Sequence, residues 1–243
     1  MSNIVVHKNV VTQFALMNDF ANLPSGKICL LYGDKRVFSL SLLLASQALI
    51  KSKSLAVVDG CNRFNVHTIS HFARQRRINP EALLKRIYVS RGFTSYQMEA
   101  AVNDRLAPFL ERIGSNTALI FGLLDTFYDE QVPLREVQGM LRRIVVQLDK
   151  MRRQGISILL ASTEWNVQPK ERNQLFDSLK QVADTVYKLA VTAPEYVQQV
   201  TVDKNRKQKL ELNNEIKLLV EKERSKEHGQ NTPNIYKNNR RRD

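Results

Sequence analysis

Cysteine is scarce, with only Cys29 and Cys61 in 243 residues. A disulfide scaffold needs more thiols and a secreted setting, so both are expected to be reduced and buried beside apolar strand-like runs. No apolar run reaches the length of a membrane span, and the N-terminus carries no signal-peptide apolar region. The expected location is cytoplasmic, with no membrane partner. Histidine is limited to four residues. His67 and His71 stand four apart on an expected helix, a metal-compatible spacing, but no third ligand motif adjoins them. A surface or packing role is therefore the reading taken, and no metal site is expected. Also missing is any complete G-x-x-x-x-G-K-[ST] phosphate loop.

What the chain does have is a hydrophobic content of 43%, ordinary for a globular protein and enough to bury a core at this length. It also has a formal charge of +13. From Lys204 to Asp243 twelve Lys and Arg face six acids, a net of +6, which leaves +7 on residues 1 to 203. Both parts are basic, so an anionic partner is expected, most simply DNA bound without regard to sequence. The alternative is a basic protein whose charge merely solvates it.

Apolar strand-like runs alternate with helical patterns. Lys27 to Gly33, Ser54 to Asp59, Ile87 to Ser90, Thr117 to Leu124 and Ile156 to Ala161 read as strands. Helices are expected over Val37 to Lys51, about Asn65 to Arg76, and from Pro80 with Asn79 as its cap. A further helix is capped by Ser95 and stopped by Gly114, and a long one starts at Pro133 with Val137, Leu141, Ile144, Val145 and Leu148 on one stripe. The last helix spans about Asn173 to Val182, and Thr185 to Val191 with Val197 to Asp203 look like a closing hairpin. Continuously apolar strands alternating with helices indicate an α/β fold with a mostly parallel central sheet covered on both faces. The expected organisation is an N-terminal segment 1–22, a core 23–206, a charged helix 207–228 and a disordered basic tail 229–243 ending in Arg240, Arg241 and Arg242.

Ligands of such sheets bind at the carboxyl ends of the strands, so the first strand-to-helix turn should cradle phosphate. Here that turn is Gly33-Asp-Lys35-Arg36-Val-Phe38-Ser39-Leu40. Gly33 is in place, but Phe38 stands where the second glycine belongs, Ser39 where the lysine belongs and Leu40 where the hydroxyl belongs. Lys35 and Arg36 could still hold a phosphate through charge alone.

Leu23-Pro-Ser-Gly-Lys-Ile-Cys-Leu-Leu-Tyr-Gly33 resembles the entry to the core of RecA/RadA-type recombinases. Val57-Val-Asp59-Gly-Cys61-Asn-Arg-Phe64 is similar to that family's second-strand segment. Asn79 to Arg91 resembles its following helix and third strand, and Thr185 to Lys204 its terminal strand pair. The likeness runs in order over roughly residues 20 to 206 and implies a RecA-like P-loop fold. It also implies losses. Cys61 occupies the place of the catalytic glutamate, and a neutral thiol cannot activate water. Asp59 matches a neighbouring, more structural aspartate. Leu123 falls at the Walker B position, with Asp125 two residues on, and Ser162-Thr163 replaces the phosphate-sensing Asn-Gln pair. ATP hydrolysis loses its main positioning and electrostatic contributions together.

Of the two loops by which the family contacts single-stranded DNA, Asp125 to Val132 is short and acidic, and its Phe127 and Tyr128 suit packing or a protein. Glu164 to Asn173 carries Trp165, Lys170 and Arg172, a pattern that fits base stacking and backbone contact. Residues 1–22 are too few for the family's N-terminal DNA-binding domain. The leading expectation is a non-catalytic RecA-like paralogue without a cofactor, binding DNA or a recombination-repair partner. The alternatives are a divergent ATPase using ATP and magnesium, and a scaffold that pairs with an active RecA-type protein or with itself.

Overall fold

Two-faced burial demands continuous apolar strands, and Ile28–Gly33 is buried along its whole length. The computed structural model describes residues 10–11, 25–51, 54–164, 167, 170–191 and 198–202, all within the unit Met1–Lys204. In chain order these form β1 (Val10–Val11), β2 (Ile28–Gly33), α1 (Val37–Lys51), β3 (Leu55–Asp59), α2 (Val66–Gln75), α3 (Pro80–Leu84) and β4 (Ile87–Arg91). One long rod follows, made of α4 (Ser95–Ala100), a π-helical segment (Ala101–Leu106) and α5 (Ala107–Arg112). Then come β5 (Thr117–Phe121), α6 (Leu134–Arg153), β6 (Ser157–Thr163), α7 (Gln174–Val182), β7 (Thr185–Val191) and β8 (Gln198–Val202).

Six strands lie parallel in the order β7-β2-β6-β5-β3-β4. Beyond β7 the sheet continues through β8 and β1 in antiparallel register. Residues 192–197, which would join β7 to β8 as the expected hairpin, lie outside the described residues. So do the charged segment 207–228 and the tail with Arg240, Arg241 and Arg242. Among the described residues, β4 is the other end of the sheet and pairs only with β3.

Period-two alternation divides the sheet residues between two layers. Cys29, Leu31, Val57, Leu119, Phe121 and Leu159 pack with Val37, Phe38 and Leu44 of α1, Phe72 of α2 and Leu83 of α3. The opposite parity (Ile28, Leu30, Val58, Ile120, Ile158, Leu160) is buried as well. On that side the π-helical segment packs on β3, α6 on β6 and α7 on β2. The apolar stripe of α6 (Val137, Leu141, Ile144, Val145, Leu148) is buried.

Caps decide the helix starts. Asn65 accepts from His67 N and Asn79 from Glu81 N, satisfying N–H groups that the first turn leaves free. At α4 the cap is Thr94, whose hydroxyl accepts from Gln97 N, so Ser95 is the first helical residue and not the cap. The fourth expected strand also stops short. Gly122 has φ 55°, a left-handed value that ends the extended run at Phe121 and leaves Leu123 and Leu124 in a buried turn.

Candidate functional site

The turn after β2 is where a nucleotide phosphate would be expected, and the chain fills it with its own atoms. Gly33 has φ 124°, and a Cβ there would come 2.2 Å from the carbonyl oxygen of Leu189 on β7. Asp34 N donates to the same carbonyl at 3.0 Å. The glycine is therefore required by the close approach of β7, independently of any phosphate. Asp34 Oδ1 accepts from Arg36 N at 3.0 Å and from Arg36 Nε at 2.6 Å. The Arg36 guanidinium holds the Asp34 carboxyl below the usual carboxylate range. A carboxylate thus sits at the start of α1, the position where the helix dipole favours an anion, and it neutralises one of the turn's two cations. Lys35 stays exposed.

Phe38 and Leu40 are buried in the core, and only Ser39 of the three altered positions faces solvent. The Phe38 ring meets Phe121, the last residue of β5, edge to face. Packed aromatic surface lies where a phosphate-binding turn would present bare backbone. The residues present do not fit a nucleotide with magnesium: the turn has Ser39 and Leu40 where lysine and hydroxyl would be needed, and carries its own carboxylate, Asp34.

A second group gathers at the carboxyl ends of β3 and β5. Asp59 is buried, and its carboxylate accepts from Cys61 N at 3.2 Å, Arg63 N at 3.1 Å and Phe64 N at 3.0 Å. It thereby folds the loop after β3, including Asn62 at φ 54°. The Cys61 thiol lies 3.6 Å from Asp59 Oδ1. Burial pushes this thiol up, and the Asp125 and Asp59 carboxylates push it further, so it stays neutral. Gly122 closes the group, since a Cβ there would stand 2.5 Å from the Cys61 Cβ and 3.0 Å from Asp125 Cγ. Asp59, Cys61 and Asp125 are thus brought together, around a thiol that has no basic function. Among the described residues no cluster of three or more His, Cys, Asp or Glu could hold a metal ion. His67 and His71 are both exposed on α2.

The loop 125–132, expected to pack or meet a protein, and the loop 164–173, expected to meet DNA, are tied to each other. Arg172 is buried, and its guanidinium donates to the carbonyls of Phe127, at 2.6 Å, and Val132. This corrects the expectation that Arg172 contacts a phosphate backbone, because a guanidinium sequestered on two carbonyls has no access to one. Phe127 is buried, and burial raises the Tyr128 phenol together with Asp125 and Asp177. Lys170 is exposed. Ser162 is buried and its hydroxyl donates to the Thr163 carbonyl. Trp165 lies outside the described residues.

Sequence reasoning missed that β4 ends the sheet among the described residues. A cavity of about 580 Å³ opens beside β4, lined by Val58, Tyr88, Ser90, Leu106 and Phe109 with Arg112 at its rim. Tyr88 and Phe109 stack edge to face at 5.3 Å, and Arg112 lies 4.9 Å above the Phe109 ring. Tyr88 and Val89 remain 42% and 40% exposed. No local signal could have marked β4 as an edge, because strand order is a long-range property.

The sequence matches no protein-family description, and no curated protein is significantly similar to it.

Proposed function

We propose that this chain is a RecA-like domain that has given up nucleotide hydrolysis and works as a binding subunit, docking a second RecA-like domain on the open edge of its sheet. That partner is taken first to be another copy of this chain. The resemblance over residues 20 to 206 supports the family, and with it a closing β7–β8 hairpin and a setting in DNA recombination or repair. The filled turn at Asp34, Phe38 and Leu40 supports the loss of catalysis.

One observation carries the docking role: among the described residues, β4 offers an unpaired backbone edge directly beside a mainly apolar cavity. An extended segment from a partner can add to such an edge through main-chain hydrogen bonds while alternate side chains drop into the pocket. Edge strands without a natural partner are usually blunted by charge or proline. Ile87–Arg91 instead presents Tyr88 and Val89, with charge only at its last residue.

Sedimentation of the full chain tests this. Self-association should appear as concentration rises to about 100 μM, where an interface of modest affinity is populated, and Val89→Lys should abolish it. A native chain that stays monomeric throughout removes the reading. Titration with magnesium-ATP should give no saturable binding, and saturation would favour the divergent ATPase instead.

A further inference from the structure

We infer that the carboxyl-end surface of β3 and β4 binds single-stranded nucleic acid through Phe93, Tyr96, Arg63 and Arg91. The inference concerns the carboxyl end of the sheet, which meets the docking strand at Arg91, and a different class of partner. It does not depend on the proposed docking role.

Phe93 is 71% exposed and Tyr96 is 51% exposed, the two most exposed large apolar side chains among the described residues. They do not sit on a loose loop. Phe93 N donates to Gln97 Oε1 at 2.8 Å, Thr94 caps α4, and the Tyr96 hydroxyl donates to Glu136 Oε1 at 2.8 Å. Both rings are thus displayed from a hydrogen-bonded frame. Holding aromatic rings in water has no benefit for folding, whereas a pre-positioned ring is a stacking platform for an unpaired base.

Cations flank this platform. Strand register sets Asp59 beside Arg91, and Gly92 N donates to the Asp59 carbonyl. The Asp59 carboxylate meanwhile gathers the N–H groups of Arg63 and Phe64. The loop carrying Arg63 and the segment carrying Arg91 and Phe93 are therefore held together by one buried residue. Both arginines are exposed, and neither has a carboxylate partner among the described residues. Arg105, which donates to the Gln97 carbonyl, adds a third cation next to the residue that positions Phe93. Of the neighbouring carboxylates, Glu99 is paired with Arg143 at 2.5 Å, Glu136 accepts from the Tyr96 hydroxyl, and Asp104 lines the cavity. Free guanidinium groups around exposed rings match phosphates and bases, and the chain's formal charge of +13 draws a polyanion toward them. A duplex keeps its bases stacked on each other, so the rings select single strands.

The test is fluorescence anisotropy of the full chain with labelled oligothymidylate, oligouridylate and a duplex of the same length. Phe93→Ala should weaken single-strand binding about 5- to 150-fold and leave the salt dependence unchanged. Phe93→Leu should weaken it as well, since it keeps apolar surface but removes the ring. Arg63→Gln and Arg91→Gln should each make the slope of log K against log salt shallower by about 0.7. Val89→Lys, which adds a cation, should not weaken single-strand binding while it abolishes self-association, which separates this site from the docking role. The inference is overturned if Phe93→Ala and the Arg63→Gln/Arg91→Gln pair bind as the native chain does, if Phe93→Leu retains full affinity, or if the native chain binds no single strand at low salt. All these side chains are exposed, so a thermal midpoint close to native confirms that each variant is folded.

Discussion

The rings of Phe38 and Phe121 meet edge to face with centroids 5.3 Å apart, joining the first turn of α1 to the end of β5. This contact occupies the space in which a phosphate-binding turn would expose its backbone. Phe38→Ala should therefore destabilise the chain by about 3–5 kcal/mol, as for other buried aromatic truncations, read from urea denaturation. Introducing Gly, Lys and Thr together at positions 38 to 40 should lose stability without creating ATPase activity, because Cys61 supplies no carboxylate and Asp34 remains in the turn. A triple variant that hydrolyses ATP would refute this account.

Gly33 and Gly114 both hold left-handed backbone, but only Gly33 has a neighbour where a side chain would go. Gly114→Ala should cost about 1 kcal/mol for the conformation alone. Gly33→Ala must also push the Leu189 carbonyl aside, and should cost clearly more. Equal midpoints for the two variants in urea would show that β7 yields freely.

Arg172 is a clasp between two loops. Arg172→Met should leave the carbonyls of Phe127 and Val132 without their donor, at about 1–3 kcal/mol for each that stays buried. The salt dependence of nucleic-acid binding should not change. A shallower slope would mean that the guanidinium reaches phosphate after all.

The Cys61 thiol gives a pH signature. Burial and the two carboxylates raise its folded value, whereas in the unfolded chain it ionises near the ordinary ~8.5. Above that pH the unfolded chain releases a proton that the native chain keeps, so stability falls as pH rises. The fall should be smaller in Cys61→Ser than in the native chain. Iodoacetamide should spare Cys61 at pH 9 in the native state and label it after unfolding. Rapid native labelling would contradict the geometry.

Much of the architecture was legible because it depends on local patterns. Continuous apolar runs marked β2, β3, β5 and β6, and Asn65 and Asn79 marked two helix starts. Thr94 and Ser95 are adjacent hydroxyl residues, so sequence could not say which faces the free N–H groups. The π-helical segment left no periodic trace. Its nearest cue is Pro108, which has no N–H for the Asp104 carbonyl and so disfavours regular α-helix just there. At the turn, the missing lysine and hydroxyl were visible. That Phe38 turns inward and that β7 dictates Gly33 are tertiary facts. Arg172 shows the same limit, since sequence gives a charge but not where the guanidinium ends.

The packed turn also bears on how the chain could change over evolutionary time. Domains of this size have a net stability of about 5–15 kcal/mol, and opening the space held by Phe38 removes a large share of it in one step. No single substitution creates a phosphate site, because Asp34, Phe38, Leu40 and Cys61 would all have to change. Each intermediate would carry the loss before any gain. The aromatic contact thus works as a ratchet, leaving descendants of this sequence free to diversify their surfaces while no single step leads to nucleotide binding.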